Sequence, residues 1–177
     1  MDDTEETALL VVRCQLGEPE ALARLVRRWH VPLWNYLRRM ADSTEAADDL
    51  AQETWIGVMR GLPRLREPDR FAPWLFTIAR RALTNRLREQ YARDVPPAVE
   101  PVETGADDLV IDRIRLLAGL ADLPLLEREV LVLFHLEDLS LQECADVLGV
   151  PVGTVKSRLF RARRMLRAIL LEKGFHP

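Results

Sequence analysis

Apolar positions in this chain recur at the three- and four-residue spacing of helices almost throughout, and strand-like alternation is nearly absent. Leu9, Leu10, Val12 and Leu16 begin an amphipathic segment that stops near Gly17 and Pro19. A second runs from Ala21 to Met40, with Leu22, Leu25, Val26, Trp29, Leu33 and Leu37 on its apolar side and Pro32 inside it as a kink point. Asp42, with Glu45 three residues on, predicts the cap of a third helix that carries Leu50, Trp55, Ile56 and Met59 and ends near Gly61. After the polar loop PRLREPDR, a long fourth helix is predicted from Phe71 to Tyr91. Pro73 fits its first turn, and Trp74, Leu75, Ile78, Ala79, Ala82, Leu83 and Leu87 face inward.

The pattern collapses between Ala92 and Asp108, where prolines and acids replace any apolar stripe, as in an exposed flexible linker. It resumes in LVIDRIRLLAGLADL, broken by Pro124, and in the strongly apolar LLEREVLVLFHLED. Two short helices around a tight turn follow, from Ser140 to Ile169. Ser140 and Glu143 form a capping box, Gly149 closes the first helix, and Pro151 suits the first turn of the second. In that second helix Val155, Leu159, Ala162, Leu166 and Ile169 form one stripe, while Lys156, Ser157, Phe160, Arg161 and Arg164 lie on another face. The fold class expected is all-α: two small helical domains, residues 1–91 and 109–177, joined by a flexible acidic linker, 92–108, with a helix-turn-helix in the C-terminal domain.

Charge sharpens this reading. From Thr154 to Leu171 there are six basic residues and no acidic one, whereas an ordinary surface helix mixes signs. Such a helix, anchored on one side and cationic on the other, suits a DNA major groove. The formal net charge of −3 conceals it: without the four acids among the first ten residues and the five in 94–108, the rest of the chain stands at +6. Cys14 and Cys144 lack CxxC partners, and His30, His135 and His176 are scattered, so neither a zinc site nor a disulfide framework is expected. Cys144 falls on the inner face of its helix, which suggests packing. No phosphate loop, HExxH motif or nucleophile elbow occurs, and no catalytic residue, metal or cofactor is expected. Neither a signal peptide nor a long apolar run is evident, so the expected location is the cytoplasm.

Two further clusters have a plain and a functional reading. Asp48, Asp49, Gln52 and Glu53 form an acidic patch beside Trp55 on the third helix, and taken alone it suits a solubilising face. Arg64, Arg66, Arg70, Arg80, Arg81, Arg86 and Arg88 alternate with Phe71, Trp74, Phe76 and Tyr91. Cations beside stacking rings suit single-strand capture, although Trp74, Ile78 and Phe71 fit a core better.

In DLPLLEREVLVLFHLEDLSLQECADVLGVPVGTVKSRLFRARRML, and in ADDLAQETWIGVMR followed by FAPWLFTIARRALTNRLRE, the chain resembles bacterial extracytoplasmic-function sigma factors of RNA polymerase. The resemblance implies a non-catalytic subunit that binds core polymerase through its large-subunit coiled coil and flap. It assigns Asp48, Asp49, Gln52, Glu53 and Trp55 to the polymerase contact. Arg64, Arg66, Arg70, Arg80, Arg81, Asn85 and Arg88 fall to a melted, single-stranded −10 element. Thr154, Lys156, Ser157, Arg158, Phe160, Arg161 and Arg164 fall to the duplex −35 element. Many relatives carry Asn at position 81 and Asp at position 85, so the −10 preference does not carry over. The resemblance also implies a linker threaded through the polymerase cleft, an anti-sigma factor, and a monomer without membrane insertion when free. Two other classes remain open: a dimeric helix-turn-helix regulator reading palindromic half-sites, and a nucleic-acid enzyme with an unrecognised site.

Overall fold

The computed structural model describes residues 3–92 and 116–174, apart from the side chain of Tyr91. These residues are helical, with short turns between helices: α1 (Asp3–Gln15), α2 (Pro19–Met40), α3 (Thr44–Gly61), α4 (Phe71–Ala92), α5 (116–121), α6 (Leu125–His135), α7 (Leu141–Leu148) and α8 (Val152–Glu172). They fall into two compact units, one built on α1 to α4 and the other on α5, α6 and α8, with α7 feeding the turn into α8. The expected linker, apart from Ala92, and the start of the helix expected from Leu109 lie outside the described residues.

In the first unit α1 buries Thr7, Leu10 and Val11. The expected stripe of Leu9, Val12 and Leu16 faces outward instead. The first-turn acids of α1 complement its helix dipole. Two of them also tie it to α2: Arg28 bonds Asp3, and its Nη1 lies 2.9 Å from Glu6 Oε2. Helix α2 opens with Pro19 in its first turn and runs through Pro32 to Met40. It buries Leu25, Leu33, Tyr36, Leu37 and Met40. Trp29 and Tyr36 set their rings edge-on to Phe76, with centroids 6.4 and 5.3 Å away, and Trp29 meets Phe71 at 5.7 Å.

The N-cap of α3 is Ser43, whose Oγ accepts the amide of Ala46 at 3.1 Å; Asp42, the expected cap, accepts a bond from Gln90 of α4. Ser and Asp cap equally well, so adjacent candidates are separated only by the backbone path. Helix α3 buries Ala46, Ala47, Leu50, Ala51, Thr54, Trp55 and Val58. Ile56 and Met59, expected inside, are 37% and 49% exposed. The crossing with α4 is close: a Cβ on Gly57 would meet Ile78 at 2.9 Å, and one on Gly61 would meet the Trp74 ring at 2.8 Å.

In the second unit α6 supplies Val130, Leu131, Val132 and Leu133, and α8 supplies Val155, Leu159 and Ala162. Leu166 and Ile169, the rest of the expected stripe, are half-buried. The Ser140–Glu143 capping box forms in full. Gly149 takes φ 64° and ψ 38°, and its amide and that of Val150 both donate to the carbonyl of Ala145. Pro151 is the N-cap of α8, one position before the expected first turn. A Cβ on Gly149 would touch nothing, so Gly149→Ala is opposed by backbone strain alone. It should lower stability by about 1 kcal/mol, read as a lower Tm by circular dichroism.

Candidate nucleic-acid and partner surfaces

On α3, Asp48, Asp49, Gln52 and Glu53 all point to solvent, and Ile56 and Met59 continue the same face one turn on. Two of the carboxylates are oriented: the indole N–H of Trp34 donates to Asp48 at 2.7 Å, and Arg86 lies 3.5 Å from Asp49. An acidic strip that ends in apolar side chains can meet a basic, partly apolar partner surface. Trp55 is different. It is only 8% exposed, with its indole N–H lacking a partner, so its ring supports α3 from the core side.

The loop before α4 is held from below. Gln15 donates to the carbonyls of Leu62 and Leu65 at 2.9 and 2.8 Å, fixing the turns that carry Arg64 and Arg66 outward. Arg70 and Arg80 are half-buried. On α4 itself, Arg81, Asn85 and Arg88 are exposed and lie four and three residues apart, which makes one polar stripe. Phe71 and Phe76 are fully buried, so of the aromatics in this segment whose side chains are described, only Trp74 has any exposed surface.

On α8, Lys156, Ser157, Phe160, Arg161 and Arg164 are exposed, and Thr154 and Arg158 are half-buried. Ser157 donates its hydroxyl to the carbonyl of Thr154 at 3.0 Å. Phe160 is 65% exposed, a large apolar ring on a cationic face, and the Arg164 guanidinium sits over it at 5.9 Å. The cations are not all unopposed, as sequence alone suggested. Arg161 is paired with Glu127 of α6, and Arg163 turns to α6, bonding His135 at 3.2 Å and lying over Phe134.

Comparison with known proteins fits this layout. Residues 25–93 match the model of Sigma-70 region 2, and residues 113–166 match that of Sigma-70, region 4. The chain is 30% identical to the ECF RNA polymerase sigma factor SigC of Mycobacterium tuberculosis, over 94% of this chain and 92% of that one. The chain belongs to the extracytoplasmic-function sigma factors. Its structure is similar to that of CnrH, solved in complex with the cytosolic domain of CnrY, with a TM-score of 0.69 at 30% identity over 93% of this chain and 96% of that one. The fold also matches a sigma factor RpoE, from a complex with the anti-sigma factor NepR of Bartonella quintana. The TM-score is 0.71 at 24% identity, covering 85% of this chain and 97% of that one.

As a sigma factor, the chain directs transcription by RNA polymerase, and the family is one of non-catalytic initiation factors. Among its described residues no helix is long and apolar enough to cross a membrane. Sequence reasoning missed Trp34, Gln15 and Glu127 because each acts on a distant segment. The burial of Cys144, with Glu143 adding to it, pushes its thiol up to about 12, which makes it a packing group rather than a reactive one. Cys14 is also raised, by burial and then by Glu18. His135 is lowered by burial and then by Arg163, which disfavours the charged ring beside that arginine.

Proposed function

We propose that residues 1–91 of this sigma factor bind core polymerase and capture the −10 element, and that residues 109–177 read the −35 element, with 92–108 as the tether. Asp48, Asp49, Gln52 and Glu53 engage basic groups on the polymerase coiled coil, and Ile56 and Met59 add apolar contact at the edge of the patch. Arg64, Arg66, Arg81, Asn85 and Arg88 track the single strand of the opened −10 element, with Arg70 and Arg80 at the margin of that path. Binding energy, rather than nucleotide hydrolysis by this chain, drives strand capture: a base extruded from the stack costs a few kcal/mol that the protein must return.

The observation that carries this reading is that one small unit displays both an acidic face on α3 and an arginine–asparagine stripe on α4. A free-standing duplex-binding regulator needs neither. Two surfaces of opposite sign are what a protein needs if it must hold a protein partner and a nucleic acid together.

In the second unit, Lys156, Ser157, Phe160 and Arg161 face base edges and thymine methyls, while Thr154, Arg158 and Arg164 hold phosphates. The chain works in the cytoplasm, has no enzymatic activity of its own, and is held inactive by a protein anti-sigma factor; CnrH, whose structure is similar, was likewise solved with a domain of another protein bound. Arg161→Ala tests the base-reading assignment. It should leave polymerase affinity unchanged and reduce discrimination at one −35 base pair by about tenfold, within the roughly 1–3 kcal/mol of a bidentate arginine–guanine contact. Promoter binding by reconstituted holoenzyme, measured over templates substituted singly at −35, gives the answer. Equal weakening on every template would make Arg161 a phosphate contact.

A further inference from the structure

The Glu127–Arg161 pair joins two unequal environments. Glu127, in the first turn of α6, is almost sealed, with its side chain 8% exposed, whereas the side chain of Arg161 is 60% exposed. Burying a carboxylate is unfavourable unless a charge and hydrogen bonds compensate it, so swinging Arg161 away would take the ion-pair partner from that carboxylate. The guanidinium has five N–H donors in a rigid fork. Nη2 meets Glu127, while Arg161 stays exposed one helical turn on from Ser157, on a stretch where Lys156, Ser157 and Phe160 are exposed too.

A phosphate contact gains less from such restraint, because the backbone phosphate offers several oxygens that a guanidinium can meet from more than one direction. A base edge is different: two acceptors in one plane must be met by two donors in the same plane. Holding the fork before binding removes rotamer entropy that a free arginine would lose on the DNA. We infer that Glu127 is a specificity-determining positioning residue, which fixes the plane of Arg161 so that it reads one −35 base pair. This inference rests on the proposed base-reading role of Arg161.

The test uses reconstituted holoenzyme carrying the full-length wild-type chain, R161A, E127Q or E127L. Transcription is measured from templates substituted singly at −35. Glu127→Leu removes the buried charge with little change in volume, so α6 keeps its packing; Glu127→Gln keeps the shape and one acceptor but loses the charge. The expected result is a fall of about five- to tenfold in the discrimination ratio at the Arg161-dependent pair for E127L, and a smaller fall for E127Q. Ratios at the other −35 positions and affinity for core polymerase should stay at wild-type values. A purely structural role would lower activity on all templates together and would overturn the inference, as would a wild-type ratio in E127Q or in folded E127L. If R161A itself keeps the wild-type ratio, the reading of Arg161 fails, and the role of Glu127 fails with it. If R161A loses the ratio while E127Q keeps it, only Glu127 is misassigned.

Discussion

Reversing charge at two positions of α3, as Asp49→Lys with Glu53→Lys, is expected to weaken binding to core polymerase by about a hundredfold or more. Both side chains are exposed and one turn apart, so two attractive contacts become two repulsive ones on the same patch. Like charges juxtaposed at an interface cost several kcal/mol, and a hundredfold corresponds to about 2.7 kcal/mol. The fold should survive. The pairing of Asp49 with Arg86 is 3.5 Å long with Asp49 mostly exposed, and such surface pairs contribute at most about 1 kcal/mol. A fluorescence competition assay against labelled wild-type chain measures the affinity, and an unchanged circular dichroism spectrum checks the fold. Affinity within twofold of wild type would return the patch to a solubilising role.

Phe76→Ala is expected to have the largest effect on stability. Phe76 is fully buried and meets Trp29 and Tyr36 edge-on, so truncation removes a ring that α2 packs against at two points. Losing a buried phenylalanine costs about 3–5 kcal/mol, a large share of the 5–15 kcal/mol that holds a typical domain together. A drop in denaturation midpoint with an unchanged slope would report it. Phe76→Leu should recover most of the stability and keep promoter opening, because the residue supports α4 rather than stacking on a base. Loss of opening in a fully folded Phe76→Leu variant would make it a base contact after all.

What the sequence made legible was what local rules govern. The Ser140–Glu143 capping box, the Gly149 turn and the inner residues Val155, Leu159 and Ala162 all follow from spacing within a few residues. The core face of α3 was rotated in the sequence reading. That helix buries Ala47, Ala51 and Thr54, small groups that weigh little in an apolar pattern, while Ile56 and Met59 look like core and are not. Phe76 was missed as core because aromatic residues among arginines suggest base stacking, and Tyr36 was not singled out at all; only packing across α2 and α4 reveals their cluster.

The candidate surfaces were legible as charge patterns. Their fine structure depends on chain-distant contacts that spacing cannot express. Gln15 braces a loop 47 and 50 residues away, and Glu127 holds Arg161 across 34 residues. The six cations of α8 form one unopposed run in sequence, yet one is buttressed by a buried carboxylate and another is turned towards His135.

Run-off transcription with purified core polymerase, with and without this chain, followed by sequencing of transcript 5′ ends, tests the two-element promoter-reading role. That role predicts transcripts that appear only with the chain and share two upstream elements at −35 and −10. It would be contradicted by no promoter-specific transcript together with tight binding of the chain alone to a palindromic duplex.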